Sequence, residues 1–261
     1  MDMYDNRLKE FLSGSRHPGL FLDTSAGLAL GALPGLEDLR KAILPVLPGL
    51  EGLICSPGQL RRLASLTDSR TAVFVRVDWT NTLREADFPL PPSTPKHISI
   101  LDPEDALEMG ARGMVADLLL GYGEAIEAHC LKAAVQLALA GRELNLPLIV
   151  EVRPNGPQVL LRDKAIELGA SFAQEAGADA ISVPYPGPDS LKTIGAMLTG
   201  PWLLKPSSIK TGIAEWEAAE AQGAVGLWLD HTWLAAGIPF NDLIEPLRTL
   251  HRSTGKMDHE Y

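Results

Sequence analysis

The stretch Ala178-Asp179-Ala180-Ile181-Ser182-Val183-Pro184-Tyr185-Pro186-Gly187, followed by Trp202-Leu203-Leu204-Lys205-Pro206-Ser207-Ser208-Ile209-Lys210-Thr211, decides the fold. Each segment reads as a short apolar strand that ends in polar residues, and a helical stretch separates them. Repeats of that unit build parallel α/β barrels, whose chemistry sits where the strands end. Apolar runs of the same kind recur at 20–23, 52–56, 71–78, 113–119, 148–153 and 224–230. They are continuous rather than alternating, as expected of parallel strands buried on both faces.

Helical patterns fill the gaps at 36–47 (interrupted by Pro45), 125–144, 163–176, 213–222 and 241–252. Asn145-Leu146-Pro147 ends the longest of them. Three helix-to-strand junctions place a glycine where the helix stops, at Gly110, Gly177 and Gly223, where a residue must adopt positive φ cheaply. Eight alternations predict a closed (β/α)8 TIM barrel. No GxGxxG follows the first strand to support an open dinucleotide-binding sheet. The 261 residues fit a single barrel domain covering 1–261. Decorations are expected as an extra N-terminal helix over about 5–12, a proline-rich loop over 80–96 and a polar tail over 253–261. The loop overhangs the active face, as a lid or as a surface decoration.

Thirty-three acidic against 23 basic side chains give a net charge of -10, which argues against a nucleic-acid surface. Cys55 and Cys130 lack CxxC or Cys/His ligand spacing, so neither a disulfide framework nor a zinc site is expected. The opening Met1-Asp2-Met3-Tyr4-Asp5-Asn6-Arg7 is too polar for a signal peptide, and no apolar run is long enough to span a membrane. The expectation is a cytoplasmic protein.

Several motifs resemble one family. Leu22-Asp23, then Pro34-Gly35-Leu36-Glu37-Asp38 and Cys55-Ser56-Pro57-Gly58, are similar to the opening of the archaeal-type class I fructose-bisphosphate aldolases. Leu146-Pro147-Leu148-Ile149-Val150-Glu151 and Glu175-Ala176-Gly177-Ala178-Asp179-Ala180 are similar to their later strands. Lys205-Pro206-Ser207-Ser208-Ile209-Lys210-Thr211 resembles the lysine–proline strand end of deoxyribose-phosphate aldolases. The resemblance implies a (β/α)8 barrel, usually a homo-oligomer, that makes or breaks carbon–carbon bonds through a lysine imine. It also implies departures. The family's imine lysine falls at Ser182 and its catalytic tyrosine at Arg153. Its phosphate-binding glycines fall at Ser207 and Ser208, and its Gly-Arg-Asn turn at Asp230-His231-Thr232. Asp23 stands where the family keeps an acid.

Serine forms no imine, so Ser182 reads as a small pocket hydroxyl, and Lys205 is the remaining strand-end amine. Lys205 is either the imine former or half of an internal ion pair with Asp23 or Asp78. Asp23, Arg76, Asp78, Asp117, Glu151 and Arg153 all lie on or at the ends of strands, as a polar binding site or a self-satisfied network. Asp23 is the first acid–base candidate and Asp78 the second. Glu151, deeper, is expected to partner Arg76 or Arg153, and Arg153 to anchor a substrate carboxylate. No His-x-His or facial-triad spacing points to a metal, and no cofactor is expected.

The loop Pro206–Gly212, with Ser207 and Ser208, can still hold an anion at a helix start, but Asp230 repels one and His231 is mostly neutral near pH 7. A small or absent phosphate group follows. Tyr185 is the expected ligand contact and Trp228 a core residue, while His97 and His129 are expected on the surface. The resulting expectation is a class-I-aldolase-like lyase acting on a small carbonyl or sugar-derived metabolite. The alternatives are a non-catalytic barrel binding a metabolite or partner, and an isomerase moving protons between Asp23 and Asp78.

Overall fold

In the computed structural model, residues 19–33, 36–65 and 71–236 are described. The helices expected at 5–12 and 241–252 and the tail at 253–261 lie outside the described residues. The strands are β1 (Gly19–Asp23), β2 (Gly52–Cys55), β3 (Ala72–Arg76), β4 (Asp78–Thr80), β5 (His97–Ser99), β6 (Gly113–Leu119), β7 (Leu148–Arg153), β8 (Ala180–Pro184), β9 (Trp202–Lys205) and β10 (Gly226–Asp230). Eight of them hydrogen-bond in the ring β1-β10-β9-β8-β7-β6-β3-β2 and close it, all neighbours parallel. The (β/α)8 barrel expected from the sequence is therefore present.

Alternation along each strand explains why continuous apolar runs are needed. One set of side chains, including Phe21, Ile54, Phe74, Ile149, Leu203 and Trp228, fills the barrel interior as its own cluster. The intervening residues, such as Leu22, Leu53, Val75, Val150 and Leu204, belong to a second cluster between strands and helices. Side chains two residues apart share a face. Two residues beyond Phe21, Phe74, Val115, Ile149, Ala180, Leu203 and Trp228 stand Asp23, Arg76, Asp117, Glu151, Ser182, Lys205 and Asp230. An apolar plug thus carries a polar layer at the C-terminal end of the barrel.

The helices are α1 (Gly27–Leu30), α2 (Leu39–Ile43), α3 (Pro57–Ala64), α4 (Pro103–Glu108), α5 (Glu124–Leu144), α6 (Arg162–Glu175), α7 (Pro188–Met197), α8 (Gly212–Glu220) and α9 (Thr232–Ala235). The helix expected at 36–47 shrinks to α2, because Pro45 lacks the N–H to continue it and a 3₁₀ turn at Leu47–Gly49 follows. Asn145, in the left-handed region at φ 54°, ends α5 as its position before Leu-Pro foretold. The three junction glycines adopt φ of 94°, 91° and 92°.

The single strand expected at 71–78 divides. Backbone leaves the barrel at Val77, and β4 pairs antiparallel with β5, Asp78 opposite Ser99 and Thr80 opposite His97. The proline-rich loop is therefore the connection of a hairpin. Its ends are tied by Lys96 N–H to Asn81 Oδ1 at 2.7 Å and by Thr80 Oγ1 to the Lys96 carbonyl at 2.9 Å. Arg84 holds it down, donating to the Ala29 carbonyl at 2.9 Å and lying over the rings of Trp79 and Phe88.

Candidate active site

Arg76 is the hub of the polar layer. Its Nη2 contacts Asp23 Oδ2 at 2.9 Å and Glu151 Oε2 at 2.7 Å, its Nε donates to Ser25 Oγ at 2.7 Å, and its Nη1 pairs with Asp117. Arg153 repeats the motif from the next level, with Nε 2.7 Å from Asp117 Oδ1 and Nη2 2.7 Å from Glu151 Oε2. Lys205 Nζ lies 2.9 Å from Glu151 Oε1 and 3.9 Å from Asp230 Oδ2. Glu151 is thus shared by three cations. Burial alone raises its carboxyl, but Arg153, Lys205 and Arg76 together hold it well below the usual carboxylate range. Asp117 goes the other way. Burial pushes it up, with Asp78 and Glu151 crowding it, and the two arginines only partly offset that.

The expected ion pair of Lys205 with Asp23 or Asp78 is replaced by one with Glu151. Asp23 is held by Arg76 and by the Ser25 hydroxyl and N–H, at 2.6 and 2.8 Å to Oδ1. Asp78 stands behind Arg76, its Oδ1 3.8 Å from Nη1, and its Oδ2 accepts from the Asp117 N–H and lies 2.8 Å from His97 Nε2. His97 is buried, not on the surface as expected, because the hairpin folds it back onto Asp78. Burial opposes its protonation, but the Asp78 hydrogen bond and the neighbouring Cys130 thiol win, and its pKa is pushed up to about 10. His129, its edge-on neighbour at 5.3 Å, is exposed as expected.

A cavity of about 270 Å³ opens beside Lys205, lined also by Glu151, Arg153, Asn155, Tyr185, Ser207 and Asp230. Among the described residues Lys205 is the one lysine in that lining, with its side chain 22% exposed. Asp23, Asp78 and Ser182 do not line it. Above Arg76, Leu28, Trp79 and Leu83 close in and leave about 10 Å³, roughly the space of one water. Ser182 is fully buried, in register with Glu151, and its hydroxyl has no partner among the described residues. Trp228 is core, as expected.

The loop expected to hold an anion and the turn expected to repel one each contain a carboxylate of the protein. Glu215 of α8 turns back on the β9–α8 loop. It accepts from the Ser207 N–H and from the Thr211 hydroxyl, both at 2.7 Å, and from the Ser207 hydroxyl. Ser208 bonds Thr211 at 2.9 Å. Asp230 Oδ1 accepts the Thr232 N–H at 3.0 Å and the Thr232 hydroxyl at the start of α9. His231 follows Asp230, its Nδ1 without a partner among the described residues. Glu215 and Ser25 escaped the sequence reading. The Thr211-x-x-x-Glu215 spacing, one helical turn at a helix start, was the available signal.

No protein-family model matches the sequence. A search of curated proteins finds no match either. Among solved structures, an archaeal fructose 1,6-bisphosphate aldolase superposes with a TM-score of 0.77 at 17% identity, covering 94% of this chain and 98% of its own. The fructose-bisphosphate aldolase from Slackia heliotrinireducens gives 0.72 at 16% identity, over 99% and 92%. A Corynebacterium glutamicum protein gives 0.70 at 20% identity, over 96% and 92%. Among the described residues no helix is long and apolar enough to cross a membrane. This chain is a closed (β/α)8 barrel with the fold of the archaeal class I fructose-bisphosphate aldolases.

Proposed function

We propose that this barrel is a class-I-aldolase-like carbon–carbon lyase acting on a small carbonyl or sugar-derived compound, with Lys205 as the imine-forming amine. The observation that carries the reading is the Lys205 amine, open to a cavity at the strand ends and 2.9 Å from a buried carboxylate. The amine attacks the carbonyl in its neutral form after giving up a proton that returns as water leaves, so the net change is ammonium plus carbonyl to iminium plus water, with one positive charge on the nitrogen before and after. Glu151, kept anionic by its two arginines, faces that charge. The iminium then accepts the electron pair of the breaking carbon–carbon bond and becomes a neutral enamine, so the Glu151 charge favours formation of the cationic iminium, the electron sink, rather than the cleavage that neutralises it. Tyr185 and Asp230 line the same cavity and are the groups placed to move protons. Asp23 and Asp78 act as positioning residues, holding the guanidinium that holds Glu151.

Borohydride reduction in the presence of pyruvate, dihydroxyacetone and their phosphates tests this reading. An adduct on Lys205, absent from Lys205→Met, is the expected mass-spectrometric result. No adduct with any of these compounds, or one on another lysine, refutes it.

A second reading, a barrel that binds a metabolite without turnover, is favoured by one observation. Arg76, Arg153 and Lys205 already pair with Asp23, Asp117 and Glu151, and His97 with one oxygen of Asp78, within the protein itself. Ligand binding without any adduct supports it. Proton exchange between Asp23 and Asp78, as an isomerase requires, has less support, because Arg76 lies between them.

A further inference from the structure

In a (β/α)8 barrel the loops after the seventh and eighth strands, with the start of a short extra helix, commonly receive a phosphate group. Backbone N–H groups and the positive end of the helix dipole make that place attractive to any anion. Here it belongs to the protein itself. The Ser207 N–H, the Ser207 hydroxyl and the Thr211 hydroxyl all point to Glu215, which is only 6% exposed. The N–H and hydroxyl at the other half point to Asp230. An incoming phosphate meets two carboxylates and donors already spent. Lys205 and Arg153 offer little relief, because both are committed to Glu151, which leaves the exposed Arg162 as the other cation of the cavity lining.

We infer that Glu215 and Asp230 are specificity-determining residues that exclude a phosphate group, so the substrate is a non-phosphorylated carbonyl compound with a neutral, hydroxyl-bearing end at this pole. This rests on the reading of Lys205 as the imine-forming amine. Hydroxyl groups suit the place. They can donate to the Glu215 and Asp230 carboxylates without adding charge and need no donor from the loop, whereas a phosphate monoester carries about -1.5 to -2 near pH 7. Neither carboxylate touches the reacting carbon, and their effect is exerted on which molecule settles beside Lys205.

The test compares dihydroxyacetone with its phosphate ester in borohydride trapping on Lys205, alongside calorimetric titration of inorganic phosphate. The native protein is expected to trap the unphosphorylated compound faster by about tenfold or more, a charge–charge effect of moderate local dielectric. Millimolar phosphate is expected to give no binding heat. Glu215→Ala is expected to erase most of that preference and to bind phosphate. Glu215→Gln keeps the side-chain shape and removes only the charge, so it carries the comparison if the alanine variant folds poorly. Preferential trapping of the phosphate ester by the native protein overturns the inference. So does native phosphate binding, including any held by Arg162 across the cavity. If no compound is trapped on any variant, the imine reading fails, and the phosphate titration of native protein and Glu215→Gln still decides this one.

Discussion

Replacing Glu151 by Gln is the sharpest test of how the polar layer is held. Glu151 is fully buried and accepts from Arg76, Arg153 and Lys205 at 2.7, 2.7 and 2.9 Å. The substitution preserves volume and one acceptor but leaves three cations around a neutral amide. Removing one partner of a buried ion pair costs about 3–5 kcal/mol, and about 2–4 °C is lost per kcal/mol in a domain of this size, so a fall of about 6–20 °C is expected at pH 7. The folded-state carboxyl is depressed below its usual value of 4.5, so its contribution is present above that pH and is lost as pH falls through the folded value. The penalty should therefore shrink in strong acid. Thermal unfolding by circular dichroism across pH measures it. A double-mutant cycle with Arg153→Gln should show a coupling of about 1–3 kcal/mol, since contacting residues are not additive. A shift below about 2 °C at pH 7, or additivity in the cycle, would refute the shared-anion account.

Three other outcomes follow from particular contacts. His97 is pushed from 6.5 up to about 10, so its contribution is complete below pH 6.5 and is lost as pH rises towards 10. Denaturant unfolding at several pH values should show that slope, and His97→Gln should flatten it. Gly156→Ala should displace the loop bearing Asn155, because an added Cβ would stand 2.0 Å from the Gly121 backbone carbon; a clear drop in melting temperature is expected, and an unchanged one counts against that backbone crossing. Arg84→Ala frees the 80–96 loop from Ala29 and Trp79 and removes the Phe88 contact within it, so limited proteolysis should cut there faster while the melting temperature moves little.

Hydrophobic runs and glycine-terminated helices determined the barrel, because a strand buried on both faces needs an unbroken apolar run and a helix stop needs positive φ, and both are local demands. The same periodicity put Asp23, Arg76, Asp117, Glu151 and Lys205 on one inward layer, since residues two apart share a face. Which of them touch was decided only by closure. The staves carrying Arg76, Glu151 and Lys205 come from distant parts of the chain, and strand stagger, invisible along a single strand, set Glu151 rather than Asp23 beside Lys205. His97 was misplaced for a related reason. A proline-rich segment reads as surface until a hairpin registers Thr80 against His97 and turns the imidazole onto Asp78. Glu215, an ordinary acidic residue on a helix, acquires meaning only when the preceding loop folds its N–H and hydroxyls back onto that carboxylate.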